Sequence, residues 1–419
     1  MAEVPGFAQP PNVAGDMSEK IRARGFLSLR GRLTVQYSAH TLGIMLHIGT
    51  TNRITFPPLP LLFAAIFLAT PALPAKDLTP QLHTAIGSFA REHDFSGTIL
   101  VQQAGQRLYH KSFGLADREF SVPADKKTRF RIASITKLFT STLILQLQQE
   151  GKIDLTAPIR TYLPDYPGEG GEAVTVHQLL NHTSGIAQWD TESSYQEAFE
   201  KGIERYQKPI AASTRMRLCC SGKLAHPPGT KFDYNNADYF VLGAIIERIS
   251  GKTFEEVLAE RILRPVGMPN TGMLHWDAII ERLAPTYFFR DDLKTLICDM
   301  PVYYENWDVA AGMYSTPDDL LAFADALYGN KLLRPETLAQ LLKPGLDDYG
   351  YGLWSYTIKR DGRQFRVAKR PGRVMGANGV LYRLLDREAT VVILANTNKA
   401  DLDVFAQRIA DILVRSEER

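Results

Sequence analysis

Ser134 and Lys137 stand three residues apart in RIASITKLFT, at the head of a segment whose Leu138, Phe139, Leu143, Ile144 and Leu147 recur at helical spacing. That spacing is close to one helical turn, so hydroxyl and amine share a face. A serine hydroxyl is a poor nucleophile at neutral pH and needs a base within hydrogen-bond reach, a role lysine fills only when neutral. An apolar helix desolvates the ammonium and lowers its pKa, which favours that form. A position near a helix N-terminus adds a field that favours negative charge, and the serine's own backbone N–H can form half of an oxyanion hole. The competing reading is an N-cap serine beside a solvated lysine. Roughly one Ser-x-x-Lys is expected by chance in a chain of this size, so the pair needs company.

That company lies in PPGTKFDYNNADYFVLGAIIERISG, residues 227–251. Tyr234 and Asn236 sit in a Gly/Pro/Asn-rich loop that runs into an apolar helix, so their side chains can project from a helix entrance. A tyrosine oxygen close to Ser134 and Lys137 can relay a proton to a leaving group. Taken singly, Asn236 reads as an N-cap and Tyr234 as a half-buried aromatic. A basic-x-Gly strand near the C-terminus makes a third motif in the same chain.

The elements that must position these residues are mixed α/β. FSGTILVQQAGQRLYHKSFG holds two β-rich runs split by Ala104-Gly105, a hairpin signal, and the helix carrying Ser134 follows the turn-rich stretch after it. FRVAKR, GVLYRLL and ATVVILANT read as strands, closed by a final helix from about Asp401 to Arg415. Ser315-Thr316-Pro317-Asp318-Asp319 is a helix start, and Gly251 after Ile245 to Ile249 is a helix stop. The economical architecture is one antiparallel sheet built from both chain ends and flanked by helices, with a mostly helical region inserted at about residues 152–300.

With 419 residues, 45% hydrophobic and 22% charged, the chain has the composition of a soluble globular protein with a sizeable core. Its formal charge of +2 is scattered rather than clustered, which argues against a nucleic-acid partner, and the absence of zinc-like Cys/His spacing argues against a metal. No cofactor is expected. Cys219 and Cys220 are adjacent and poorly placed to bridge to each other, so at most one disulfide to Cys298 is plausible, and free thiols are the expectation.

Residues 1–53 show no sustained periodicity and read as an unstructured or mis-assigned extension. Residues 54–75 hold an apolar run, Leu61 to Ala69, too short for a spanning helix, which needs roughly 20 apolar residues. It fits a secretory signal with small residues at Ala72 and Ala75 and cleavage before Lys76, and Met45 makes the better start. An uncleaved membrane anchor is the alternative. Either way residues 78–415 face an extracytoplasmic compartment, secreted or periplasmic.

From about Phe95 to its C-terminus the chain resembles the serine β-lactamase and penicillin-binding-protein superfamily, in its class C-like branch of esterases, D-amino-acid peptidases and β-lactamases. The resemblance rests on TRFRIASITKLFTS, EGKIDLTAPIRTYLPDYP, VTVHQLLNHTSGI, the Tyr234-Asn235-Asn236 loop, ERILRPVGMPNTGM and AAGMYSTPDDLLAF, in that order. It implies Ser134 as the acylated nucleophile, Lys137 as the group that helps deprotonate it and Tyr234 as the proton carrier. Asn236, Arg370, Gly372 and Arg373 become candidates for substrate binding and the oxyanion hole. The family carries Lys-Thr-Gly or His-x-Gly on a strand beside the serine, with a further glycine four positions on. Arg370-Pro371-Gly372 with Gly376 fits this spacing, whereas a register starting at Arg373 puts Met375 where glycine belongs. The second oxyanion donor is then the backbone N–H of Arg373. In lactam-cleaving relatives the lysine and threonine hold the substrate carboxylate. Pro371 has neither a hydroxyl nor an N–H, so esters or D-peptide-like amides are expected over β-lactams, with Arg370 or Arg373 left to grip a carboxylate. His182 in LLNHTSGI is read as structural, since no Gly-x-Ser-x-Gly elbow accompanies it. Asp233, Trp189, Cys219 and Cys220 lie in or beside a variable region, Ala187 to Leu224, expected to wall the pocket. The expected function is a serine hydrolase working through an acyl-enzyme on a small-molecule or peptide substrate. The alternative is a catalytically silent ligand-binding or scaffold protein on the same fold.

Overall fold

A six-stranded antiparallel sheet organises the computed structural model, which describes residues 78–188 and 195–415. The proposed leader, its upstream extension and Trp189 lie outside the described residues. The elements that matter for the site are α1 (Thr79–Glu92), β1 (Gly97–Gln103), β2 (Gln106–Phe113), α2 (Thr136–Gln149), α3 (Asn236–Ser250), α4 (Asp308–Ala311), α5 (Pro317–Tyr328), β3 (Trp354–Arg360), β4 (Arg363–Val374), β5 (Ala377–Leu384), β6 (Ala389–Ala395) and α6 (Leu402–Val414). The strand order β3-β4-β5-β6-β1-β2 joins the two chain ends at the β6–β1 seam, where Ile393 pairs with Ile99.

Strict alternation along these strands gives the sheet two buried faces. Leu100, Leu381, Val392 and Leu394 belong to the cluster that includes Leu138, Phe139 and Leu143 of α2. Ile99, Val101, Val380, Val391 and Ile393 pack with Ile86 and Phe89 of α1 and Phe405 and Ile409 of α6. The β1–β2 hairpin closes through Ala104 and Gly105 at φ 47° and 76°, positive at both turn positions as a type I′ turn requires.

Local signals place the helix ends. Asn235 caps α3 by accepting from the Ala237 N–H, and Gly251 ends it in the left-handed region at φ 66°. Thr316 caps α5 with Pro317 in its first turn, and Asp401 caps α6. The cap of α3 is therefore Asn235, which leaves the Asn236 side chain for other work. Short helices fill much of the chain between the two halves of the sheet, together with a hairpin pairing Tyr287–Arg290 with Thr295–Cys298, and helices continue beyond it in α4 and α5. Cys219 and Cys220 are buried, Cys298 is exposed, and none forms a disulfide.

β3 is not among the strands expected from sequence, although WSYTIKR alternates. Its pairing with β4 stops at Trp354 opposite Lys369, whereas β4 pairs with β5 through Val374. Residues 370–374 of β4 thus have an open edge, which is why a proline without an N–H is tolerated at 371. No described helix is long and apolar enough to cross a membrane.

Candidate active site

The chain enters the site from the short strand Phe130–Arg131, held by the Ile132 N–H donating to the Met313 carbonyl at 3.0 Å. It then turns through Ala133 at φ 46°, a conformation that costs a non-glycine residue about 1–2 kcal/mol. Ser134 lies in the single 3-10 turn that follows, and Lys137 is the second residue of α2. Lys137 Nζ donates to Ser134 Oγ at 3.2 Å, to Asn236 Oδ1 at 2.7 Å and to the Ala310 carbonyl at 3.1 Å. Tyr234 OH donates to Ser134 Oγ at 2.9 Å. The fold thus gathers residues from α2, the entrance of α3 and α4 around one hydroxyl. Lys137 is fully buried, while Ser134, Tyr234 and Asn236 keep partial exposure.

Arg370 completes the cluster from below. Its guanidinium donates to Tyr234 OH at 2.6 Å, to the Ser134 carbonyl at 2.6 Å and to Tyr349 OH at 2.8 Å. Burial alone would raise the Tyr234 phenol, but Arg370 and Lys137 outweigh it and bring it down to about 8. The arrangement can therefore present a tyrosinate in direct hydrogen-bond contact with a serine hydroxyl, the geometry of a general base beside a nucleophile.

Behind Tyr234 lies a pair that sequence reasoning treated only in part. The His182 ring packs 4.4 Å from the Tyr234 ring, and its Nδ1 is 2.8 Å from Asp238 Oδ2, both side chains being fully buried. The Asn235 N–H donates to the same Nδ1 at 3.3 Å, so that nitrogen carries the lone pair and the proton in the Asp238 contact belongs to the acid. Burial accounts for both states, raising Asp238 well above the carboxylate range and lowering His182. Ser184 Oγ donates to Asp238 Oδ1 at 2.5 Å. Asp238→Ala removes one partner from both neighbours, and urea denaturation is expected to show a loss of about 1–3 kcal/mol. A loss under about 0.5 kcal/mol would mean that the pair contributes nothing to the fold.

The strand motif divides by face. A Cβ on Gly372 would lie 2.2 Å from the Ile132 carbonyl and 3.1 Å from the Ser134 N, so only glycine lets β4 run this close to the Ser134 turn. Gly372→Ala is expected to displace that turn and to lower turnover by about 100-fold in a protein that still folds, because catalytic geometry tolerates about 1 Å of error poorly. Turnover within threefold of the parent would show that the close approach is not required. The Arg373 side chain points away, donating to Asp403 at 2.8 Å. Arg370 is turned inward. Of the two arginines expected to be able to grip a substrate carboxylate, Arg370 is buried, whereas Arg373 is exposed, and strand alternation sends 370 and 372 to one face and 373 to the other. Asp233 accepts from Gln188 Nε2 at 3.2 Å beside the loop, and Gln188 also donates to the Tyr234 carbonyl. Among the described residues no group of three or more His, Cys, Asp or Glu could hold a metal ion.

The family model described as Beta-lactamase matches residues 82–415, which spans the whole arrangement. The chain belongs to the beta-lactamase family. Within the family it is 26% identical over 342 residues to penicillin-binding protein 4* of Bacillus subtilis, covering 75% of this chain and 71% of that one. It is 30% identical over 299 residues to esterase EstB of Burkholderia gladioli, covering 64% of this chain and 74% of the relative. The crystal structure of a penicillin-binding protein from Bacillus halodurans superposes with a TM-score of 0.65 at 28% identity, covering 78% of this chain and 98% of that one. This beta-lactamase-family chain has the family's fold and is a serine hydrolase.

Proposed function

We propose that the protein forms an acyl-enzyme through Ser134 and hydrolyses ester or D-peptide-like amide bonds, with weak reactivity toward β-lactams. The observation that carries this reading is the 2.9 Å contact between Ser134 Oγ and a phenol brought down to about 8. Ionised Tyr234 takes the serine proton as Oγ attacks the acyl carbon. The oxyanion collects at the backbone N–H of Ser134 and, in this reading, that of Arg373. Tyr234 then gives that proton to the leaving group, and as a phenolate again it takes a proton from the water that attacks the acyl carbon and passes it to the departing Ser134 Oγ, while Lys137 keeps the serine oxygen oriented and the site positive. The kinship with EstB, named an esterase, supports the ester reading, and that with penicillin-binding protein 4*, named for binding penicillin, supports reactivity toward β-lactams. A secreted or periplasmic location, with residues 54–75 as signal or anchor, belongs to the same proposal.

Incubation with a fluorophosphonate, followed by intact mass and peptide mapping, tests this directly. One adduct on Ser134, formed faster as pH rises through about 8, is the expected result. No adduct, or an adduct elsewhere, would favour a catalytically silent protein.

A further inference from the structure

β4 carries three cations beside the nucleophile, Lys369, Arg370 and Arg373, and all three are engaged within the protein. Lys369 Nζ is 3.5 Å from Asp403 Oδ1, and Arg373 Nη2 is 2.8 Å from Asp403 Oδ2 and 3.4 Å from Asp401 Oδ1, both at the start of α6. Arg370 is 1% exposed. It lies 5.5 Å from the Tyr234 ring and 5.7 Å from the Trp354 ring, and its three hydrogen bonds run to Tyr234, Tyr349 and the Ser134 carbonyl. Drawing it out would strip partners from two tyrosine hydroxyls and from the nucleophile's own carbonyl. Lys137 is likewise surrounded by acceptors of the protein. Pro371, on the open edge of β4, has no N–H to offer.

A carboxylate on the substrate would therefore leave water with only cations already committed to protein partners on the Ser134 face, Arg373 lying on the other face of the strand, an unfavourable exchange. From this geometry, and resting on the reading of Ser134 as the acylated nucleophile, we infer that the substrates are esters or amides whose leaving group carries no carboxylate, and that Arg370 is an internal positioning residue that tethers Tyr234 to Ser134 rather than a substrate anchor. The groups facing Tyr234 are Ser134 and Lys137 at the head of α2, the neutral His182, Tyr349, Trp354 of β3 and Arg370 of β4. Lys137 and Arg370 are the two of these that carry positive charge, so removing one changes the tyrosine's field.

The test uses the full chain and two matched substrates, a phenyl ester and its meta-carboxyphenyl counterpart with the same acyl group, assayed across pH beside fluorophosphonate labelling. The neutral ester is expected to have the higher kcat/KM by at least tenfold. Arg370→Gln is expected to move the rising limb of the neutral-ester pH profile upward by one unit or more, and Arg370→Lys to restore at least half of that shift, with thermal melts confirming that both fold. A purely packing role for Arg370 would not make the limb follow the charge. A protein that takes the label on Ser134 but fails to favour the neutral ester by this margin overturns the substrate inference alone. An unmoved limb in a folded Arg370→Gln overturns the tether. Failure of a variant to fold leaves the ester comparison in the parent to decide. A protein that takes no label and cleaves neither ester overturns the hydrolase reading, and this inference with it.

Discussion

Ser134→Ala is expected to lower kcat for a short-chain aryl ester by roughly five orders of magnitude or more and to abolish covalent labelling, while the thermal melt stays close to that of the parent. The asymmetry follows from where the oxygen sits. Oγ is the meeting point of Lys137 at 3.2 Å and Tyr234 at 2.9 Å, yet the side chain is only half-buried and fills little of the core. Removing it leaves Lys137 with Asn236 and the Ala310 carbonyl as acceptors and Tyr234 with Arg370 as donor, so no buried group is stranded. Steady-state rates with a purified variant check this. A rate within about tenfold of the parent, only ~1.4 kcal/mol of barrier, would remove Ser134 from the chemistry.

What could be read ahead of the structure was whatever local chemistry dictates. The Ala104-Gly105 turn, the Thr316 and Asp401 caps and the Gly251 stop are each set by one or two residues, and each lies where the sequence puts it. Ser134, Lys137, Tyr234 and Asn236 could be singled out because their motifs occur together in the order of the family they resemble, which type and spacing alone did not decide. Groups defined by long-range packing could not. The Ala310 carbonyl that holds Lys137 is a backbone atom 173 residues away, and no residue type announces it. The inward turn of Arg370 depends on Tyr349 and Trp354, at and just before the one strand of the main sheet that was not anticipated, so the floor of the site was hidden along with β3. Asp238 escaped for a different reason. Its partners His182 and Ser184 are more than fifty residues away, and only complete burial turns the carboxylate that its residue type suggests into a neutral acid.

Lys137 and Tyr234 share Ser134 Oγ as their common partner, and losses from the two are therefore expected to be strongly non-additive. Lys137→Ala should nearly match Ser134→Ala in kcat/KM. Tyr234→Phe should cost roughly two to four orders of magnitude, the scale of a general acid–base group, and should erase the rise in kcat/KM through pH 8. The sign follows from the proposed mechanism: with the phenolate as the proposed base, activity is expected to grow as pH climbs past about 8 and to fall about tenfold for each unit below it. Tyr234→Phe keeps the ring that packs on His182 and covers Arg370, so its effect reports the oxygen rather than the packing. In the double variant the second substitution should add little if, as proposed, Tyr234 moves the serine proton only while Lys137 holds that oxygen in place. A full mutant cycle on kcat/KM, with thermal melts to exclude unfolding, measures the coupling. Additive losses would mean that lysine and tyrosine act on separate steps, and would undo the single proton network that the 2.6 Å, 2.9 Å and 3.2 Å contacts describe.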